Sequence, residues 1–241
     1  MEEAYAMKVR IKFSKQGPMK FIGHLDTMRY FQKAVRRAEL PVAFSGGYSP
    51  HMIMSFAAPL GVGTTSRGEY FDLELAETVP TSEITRRLNE TMAEGFQVIS
   101  ARQVEDGKAG KAMSLVAAAD YLVEFRPGKE PAVEWKSKVE EFLAQKEIPV
   151  TKKTKRSEAT VDIRPFIYKM ELQGEKLFLS LASASANYTK PELVTDTFFS
   201  WLGTELPEFA YMVERLEVYA DLGKEENHRF VSLEALGEEV E

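Results

Sequence analysis

Residues 7–38 read MKVRIKFSKQGPMKFIGHLDTMRYFQKAVRRA and carry two hydrophobic periods in succession. In the first eight residues, Val9, Ile11 and Phe13 alternate with basic residues, which is the two-residue period of a half-buried strand. Over residues 24–38 the apolar side chains recur at helical spacing instead and share one face: Met28, Phe31, Val35 and Ala38. The stretch predicts a strand followed by an amphipathic helix that packs on the sheet.

The next residues continue this rhythm as far as residue 104. Two β-like segments flank a turn at Gly46-Gly47, and GEYFDLEL (68–75) has strand alternation. Residues 82–95 have helical character and end at a glycine, a favoured residue just past a helix. Residues 96–104 form a last strand. The order β-α-β-β-α-β is the ferredoxin-like pattern.

A second unit is predicted after a linker at residues 105–117, which is polar and rich in small residues. The same rhythm restarts over residues 118–220. We therefore expect an α+β protein with two tandem ferredoxin-like (βαββαβ) domains and antiparallel sheets, covering residues 7–104 and 118–220. Residues 221–241 are expected to form an acidic C-terminal tail.

Local signals in the second unit predict three further features. PAVEWKSKVEEFLAQ (131–145) predicts a helix with a proline in its first turn. Thr189 and Glu192 have the spacing of a capping box, which predicts the start of the last helix. The alternation slips at Arg164, before Pro165, and predicts a bulge that re-aims the arginine side chain.

Composition excludes several classes of function. The 241 residues contain no cysteine, which rules out a thiol nucleophile and a cysteine-ligated metal cluster within this chain. No segment approaches the roughly 18 apolar residues of a membrane span. The N-terminus lacks the layout of a secretion signal, so we expect a cytoplasmic protein.

Charge is distributed unevenly along the chain. The formal net charge is −6, yet residues 7–104 carry 13 Lys/Arg against 9 Asp/Glu, giving +4. Residues 221–241 carry 2 against 7, giving −5. A mildly basic first half is compatible with local phosphate binding. The alternative is an ordinary solvated surface.

The helix at residues 24–38 concentrates positive charge opposite its apolar face. Four cationic side chains fall within about a third of the circumference: Arg29, Lys33, Arg36 and Arg37. An RNA backbone is a natural partner, because Arg and Lys contacts to phosphates give sequence-independent affinity. A solvated helix face would have the same pattern.

Two histidines near this helix are candidates for proton transfer. His24 lies at the helix start, where Asp26 could orient it, and His51 follows a loop that presents Tyr48. If they converge, His24 and His51 could act as general acid and base, or as two metal ligands together with Asp26. A helix cap or a hydrogen-bonded core histidine is the commoner outcome. No spacing resembles a zinc motif, so no metal is assigned, and no other cofactor is expected.

The second unit offers weaker anion-binding candidates. Lys190 lies at the start of the last helix, where backbone N–H groups can hold phosphate, although the glycines of a nucleotide-binding loop are missing. Arg164, on its re-aimed strand, is a further candidate. Residues 151–156 (TKKTKR) form a basic arm that could touch a polyanion.

Three runs of residues resemble one bacterial family. These are Gly-His-Leu-Asp at residues 23–26, Arg-Arg before LPVAFS, and Asp-Ile-Arg-Pro at residues 162–165. Together they resemble the radical-SAM-associated proteins, a family of unknown function, over most of residues 7–220. Where that family more usually has Arg-Pro, this chain has Lys190-Pro191.

The resemblance implies a role beside another protein. Members of the family occur beside, or fused to, a radical S-adenosylmethionine protein with a cobalamin-type domain. Neighbouring genes often encode an RNase of the E/G type and ribosomal proteins. The leading hypothesis is therefore an accessory protein that recognises RNA or a ribonucleoprotein for a radical-SAM enzyme. The alternatives are a metal-independent RNA endonuclease that uses His24, and a scaffold that binds protein.

Overall fold

Strand β1 (Met7–Lys15) forms where the two-residue alternation predicts it, and helix α1 (His24–Arg37) follows where the period changes. These elements belong to a computed structural model that describes residues 6–105, 107, 110–153, 158–224 and 227–241. The chain is α+β, and nine described strands belong to a large, mostly antiparallel sheet.

The remaining elements follow in chain order. After α1 come β2 (Met54–Phe56), β3 (Thr65–Leu75), α2 (Thr81–Asn89), β4 (Phe96–Gln103), the short α3 (Ala112–Leu115) and β5 (Val116–Phe125). The chain continues through α4 (Val139–Leu143), β6 (Pro149–Lys153), β7 (Glu158–Asp162), β8 (Ile167–Gln173) and β9 (Lys176–Ala182). It ends with α5 (Pro191–Trp201), β10 (Tyr211–Asp221) and β11 (Phe230–Ser232).

The chain divides into two units. Unit 1 contains the residues up to Ala117 together with Glu217–Glu241, and unit 2 contains Ala118–Leu216. Strand β10 passes from unit 2 into unit 1 within its own length. The second boundary lies inside this strand, so the last residues of the chain return to unit 1.

In unit 1, β1 is the central strand between β4 and β3, and β2 pairs with β3. β1 runs antiparallel to both neighbours, with Ile11 opposite Phe71 on one side and Ala101 on the other. The apolar faces of α1 and α2 contribute to the core on these strands. Its centre is fully buried and consists of Val9, Ile11, Phe31, Val35, Phe71, Ile84 and Leu88.

The polar face of β1 is also buried, and the expectation of a half-buried strand was wrong. Arg10 is 1% exposed and donates from Nε to Asp72 Oδ1 at 2.8 Å. Lys12 Nζ donates to Glu217 Oε2 at 2.6 Å and to Glu234 Oε1 at 3.2 Å. Sequence periodicity indicates which residues share a face but not whether charges on that face find buried partners.

Residues 221–241 form part of unit 1 and are not a tail. β11 pairs with β10, and a 3-10 helix at Leu233–Leu236 follows it. Leu233 is fully buried, and its carbonyl oxygen accepts from Arg10 Nη1 at 3.1 Å. The acidic residues of this segment had suggested a solvated tail. One of them, Glu234, instead forms an ion pair with Lys12 of β1.

In unit 2 the sheet order is β10-β5-β9-β8, and β6 pairs with β7 as a separate hairpin. Helix α5 packs on this sheet through Phe199, whose ring centroid lies 5.4 Å from that of Phe125 and 5.7 Å from that of Trp135.

The helix predicted over residues 131–145 is much shorter. A 3-10 turn at Lys136–Lys138 leads into α4, and the residues before it are not helical. Trp135 is buried against Phe125 and Phe199 from this irregular backbone.

The predicted capping box at Thr189 does not form. Lys190 is the N-cap residue of α5, and no side chain caps the helix. Thr189 is fully buried and its hydroxyl donates to the Asn187 carbonyl oxygen at 3.1 Å. The threonine therefore closes the preceding loop.

Arg164 lies in a 3-10 turn between β7 and β8 (Arg164–Phe166), and not on a strand as predicted. The pairing of β8 with β9 does shift register at Ile167/Lys169, close to the predicted bulge.

Candidate nucleic-acid interface

Helix α1 has one face fixed in the core of unit 1 and one face in solvent. Phe31 is fully buried, with its ring centroid 4.5 Å from that of Phe13 and 4.9 Å from that of Phe71. Val35 is also fully buried, and Met28 packs partly buried against the same core. These contacts confirm the predicted apolar face and fix the rotation of the helix. All four predicted cations are exposed: Arg29, Lys33, Arg36 and Arg37. We call these four residues the basic face.

The basic face is only partly neutralised. Arg29 Nη1 lies 3.4 Å from Asp26 Oδ1, and the two side chains are 71% and 64% exposed, so the pair is weak. Arg37 Nη2 donates to the Thr91 carbonyl oxygen at 3.1 Å, a neutral acceptor that leaves the positive charge uncompensated. Within the described part of the chain, the side chains of Lys33 and Arg36 have no hydrogen bond or ion pair.

Helix α2 and the turn after it hold α1 in place and add a fifth cation. Thr91 follows α2, and its hydroxyl donates to the carbonyl oxygen of Ala34 in α1 at 3.4 Å. Arg87 of α2 donates to the carbonyl oxygen of Glu39, just beyond the end of α1. These bonds bring Arg87 to the C-terminal end of the basic face. Arg87 was not predicted as part of this surface, because nothing local in the sequence indicates that the two helices are neighbours.

Exposed apolar side chains gather at the other end of α1. Phe21 is 66% exposed, Leu25 65% and Val62 64%. The Gly63 N–H donates to the Lys20 carbonyl oxygen at 2.7 Å, which brings the loop containing Val62 beside Lys20 and Phe21. Lys20 Nζ lies 5.2 Å from the centroid of the Phe21 ring, within cation–π range. We call Phe21, Leu25 and Val62 the apolar end. This cluster was not predicted from the sequence.

His24 is the first residue of α1 and lines a small cavity with Lys15, Thr27, Phe56 and Glu69 among others. The cavity is about 10 Å³, close to the smallest volume that holds one water molecule. Burial lowers the pKa of His24; the charge of Glu69 acts to raise it, and that of Lys15 lowers it further. His24 is therefore predominantly neutral at pH 7.

Lys15 and Glu69 were not identified as candidates from the sequence. Lys15 is 1% exposed and donates from Nζ to the Ile22 carbonyl oxygen at 2.8 Å, and Glu69 is 4% exposed. Both residues end in the core because they lie on the paired strands β1 and β3. The only signal in the sequence is that each of these charged residues occupies a strand position where the alternation places an apolar side chain.

The other acid–base candidates do not line this cavity. His51 is exposed, and its Nδ1 lies 2.7 Å from Ser45 Oγ. Asp26 is exposed and paired with Arg29. The lining residues include neither of these side chains nor any residue of the basic face. The convergence of His24 and His51 on one site is unsupported, and their catalytic roles stay predictions.

The remaining predicted anion-binding residues are dispersed. Tyr48 is fully exposed on the loop after Gly47, a glycine with φ +92°. Arg164 donates from Nε to the Leu143 carbonyl oxygen at 2.7 Å and from Nη1 to the Ile167 carbonyl oxygen at 3.1 Å, which ties its turn to the end of α4. Lys190 is exposed at the N-cap of α5. Anion binding by these three residues stays a prediction.

Residues 154–156 of the predicted basic arm lie outside the described residues. Among the described residues, no cluster of three or more His, Asp or Glu side chains is placed to hold a metal ion. In the same part of the chain, no helix is both long and apolar enough to cross a membrane.

Comparison with known proteins identifies a family. Residues 8–191 match the family described as "uncharacterized protein conserved in bacteria" (DUF2344). No curated protein matches the sequence. A chain from a crystal structure of a Cbf5–Nop10–Gar1 complex is similar at a TM-score of 0.43 and 12% identity, and the likeness covers 87% of this chain. This protein spans about half of that chain (48%). Since the family match covers well over half of the sequence, the chain belongs to the DUF2344 family of bacterial proteins.

Proposed function

We propose that this protein is a cytoplasmic, non-catalytic accessory protein that recognises RNA or a ribonucleoprotein through the basic face of α1. The enzyme it serves is a radical-SAM protein. The observation that carries the proposal is the basic face itself. Its four cations are exposed on a helix whose opposite side is locked into the core by Phe31 and Val35.

The electrostatics of this face support a polyanionic partner. Lys33 and Arg36 are unpaired among the described residues, and Arg37 is held only by a neutral carbonyl group. Cations crowded on one helix repel one another, and phosphate groups relieve that repulsion while releasing their own counterions. Because the chain as a whole carries a net charge of −6, this local excess is not a by-product of a basic composition.

A ferredoxin-like arrangement of each unit is the proposed scaffold. In unit 1 the order β4-β1-β3-β2, with α1 after β1 and α2 after β3, supports this assignment. In unit 2 the order β10-β5-β9-β8 supports it in the same way, with α4 and α5 in the corresponding positions. The β6–β7 hairpin is then an insertion between the first helix and second strand of unit 2.

The radical-SAM partner is proposed from the sequence resemblance. A radical-SAM enzyme holds its iron–sulfur cluster with three cysteines, and this chain has none. The cluster chemistry would belong entirely to the partner. This chain would contribute recognition of the substrate.

The test has two arms. In the first, fluorescence anisotropy with a labelled RNA oligonucleotide is measured over a range of salt concentrations; we expect affinity to fall steeply with salt. In the second, the protein is copurified with its radical-SAM neighbour, with and without RNase. Absence of RNA binding at physiological salt would overturn the RNA role. Absence of copurification under both conditions would overturn the partnership.

A further inference from the structure

The apolar end of α1 is unusual because large apolar side chains are left in water beside a well-packed core. Phe21 is 66% exposed, whereas Phe31, ten residues later, is fully buried. Burying a phenylalanine side chain is strongly favourable, so the fold forgoes that stabilisation at Phe21. Exposed apolar clusters of this kind commonly mark binding surfaces.

Leu25, the one residue of the apolar end that belongs to α1, lies on the same side of this helix as the basic face. At 3.6 residues per turn, Leu25, Arg29, Lys33 and Arg36 fall within roughly 80° of arc. A ligand that follows the basic face toward the N-terminus of α1 therefore reaches Leu25 first. Phe21 comes next, in the 3-10 helix that leads into α1 (Gly17–Phe21). Charge is concentrated at one end of this path and an aromatic ring lies at the other.

From this juxtaposition we infer that the RNA recognised by this protein is single-stranded and that one of its bases stacks on the ring of Phe21. The inference rests on the function proposed above and specifies its substrate class. Proteins that bind single strands combine a positively charged track for the backbone with aromatic side chains for the bases. Both parts are present here.

A duplex would not use the apolar end. The bases of a double helix are stacked on one another and present only their edges, whereas a single strand offers free base faces. Lys20 adds a positive charge beside the platform, because its ammonium group lies 5.2 Å from the centre of the Phe21 ring. Most of the ring remains accessible, since Phe21 is 66% exposed.

The experiment measures the affinity of the intact protein for a labelled twelve-residue oligouridylate and for its duplex with oligoadenylate. The test variant is Phe21→Ala, and Phe21→Trp serves as the conservative variant. The matched control is Phe209→Ala, which removes an equally exposed phenylalanine (69%) from unit 2. A 5-iodouridine oligonucleotide, photocross-linked and mapped by mass spectrometry, locates the stacked base.

We expect the single strand to bind more tightly than the duplex. Phe21→Ala should weaken single-strand binding by roughly 5- to 150-fold, from the usual contribution of one base–aromatic stack. Phe21→Trp should retain affinity, Phe209→Ala should match the parent, and the cross-link should fall on Phe21. The salt dependence should be unchanged in Phe21→Ala, because no phosphate contact is lost.

Two results separate failure of this inference from failure of the proposed function. If RNA binds with a steep salt dependence but Phe21→Ala binds like the parent, or duplex and single strand bind equally, the stacking platform is overturned and RNA recognition stands. The apolar end would then be a contact for a protein partner. If neither RNA binds at physiological salt, the proposed function is overturned, and the inference with it.

Discussion

Arg10 and Asp72 form a two-point ion pair across neighbouring strands of unit 1. Nε of the arginine lies 2.8 Å from Oδ1 of the aspartate, and Nη2 lies 3.2 Å from Oδ2. Both side chains are almost completely buried, at 1% and 3% exposed. Asp72 also accepts from the Ala112 N–H at 2.8 Å, so this carboxylate joins β1, β3 and α3.

Replacing Asp72 by asparagine should lower the free energy of unfolding by about 3–5 kcal/mol, because it leaves the charge of Arg10 buried without a counter-ion. Urea unfolding followed by far-ultraviolet circular dichroism measures the change. The control is Asp26→Asn, which removes the same charge from an exposed pair and should cost less than about 1 kcal/mol. Equal effects of the two substitutions would contradict the buried pair.

Phe31→Ala should destabilise unit 1 by about 3–5 kcal/mol, the usual cost of removing a fully buried phenylalanine ring. Phe21→Ala in the same unit is the control, since that ring is 66% exposed and its loss should change stability by no more than about 0.5 kcal/mol. Urea titrations of both variants give the comparison. A similar small effect at Phe31 would mean that α1 does not use this face for packing.

Replacing both Arg29 and Arg36 by alanine should make RNA binding less dependent on salt. The slope of log affinity against log salt should fall by about 1.4 for a single strand, from roughly 0.7 per lost phosphate contact. Anisotropy titrations at several salt concentrations give the slope. Arg86→Ala is a matched control, because that exposed arginine is already paired with Glu83 and Glu90. A slope that drops as much for Arg86→Ala would show that general charge, and not the basic face, governs binding.

His24 should titrate below the usual histidine pKa of about 6.5. Burial lowers its pKa, which means that the unfolded chain takes up the proton more readily than the folded protein. The stability contributed by neutral His24 is therefore present above about pH 6.5 and is lost as the pH falls toward the lowered pKa of the folded protein.

Nuclear magnetic resonance titration measures the pKa of His24 directly, and the His24→Asn variant identifies its signal among those of the three histidines. The same variant should reduce the loss of stability between pH 7 and pH 5.5. A pKa at or above 6.5 would contradict the burial of this ring.

Hydrophobic periodicity was sufficient to predict the strands and helices that carry a single clear pattern. β1, β3, β4 and α1 lie within a few residues of their predicted positions because one apolar face dominates each segment. The helix predicted over residues 131–145 was too long because burial of Trp135 competes with helix formation at its start. The capping box failed because Thr189 satisfies its hydroxyl within the preceding loop.

The candidate site was predictable only in part. Arg29, Lys33, Arg36 and Arg37 could be placed on one exposed face because helix geometry relates them locally. Lys15 and Glu69 became neighbours of His24 through strand pairing between distant residues, which single-sequence periodicity does not register. The same limit applies to Arg87, which reaches α1 through a contact with Glu39, 48 residues away.

Unit 1 cannot be completed until residues 217–241 have been synthesised. Leu233 and Glu234 cover and neutralise the polar face of β1, yet a ribosome produces them after all of Ala118–Leu216. At roughly 5–20 residues per second, the nascent chain would carry Arg10 and Lys12 without these partners for about 11–45 seconds. Translation that stops before Glu217 would release a first unit in which Lys12 lacks both of its carboxylate partners, Glu217 and Glu234. Such a truncated product would be a natural target for chaperones or proteases.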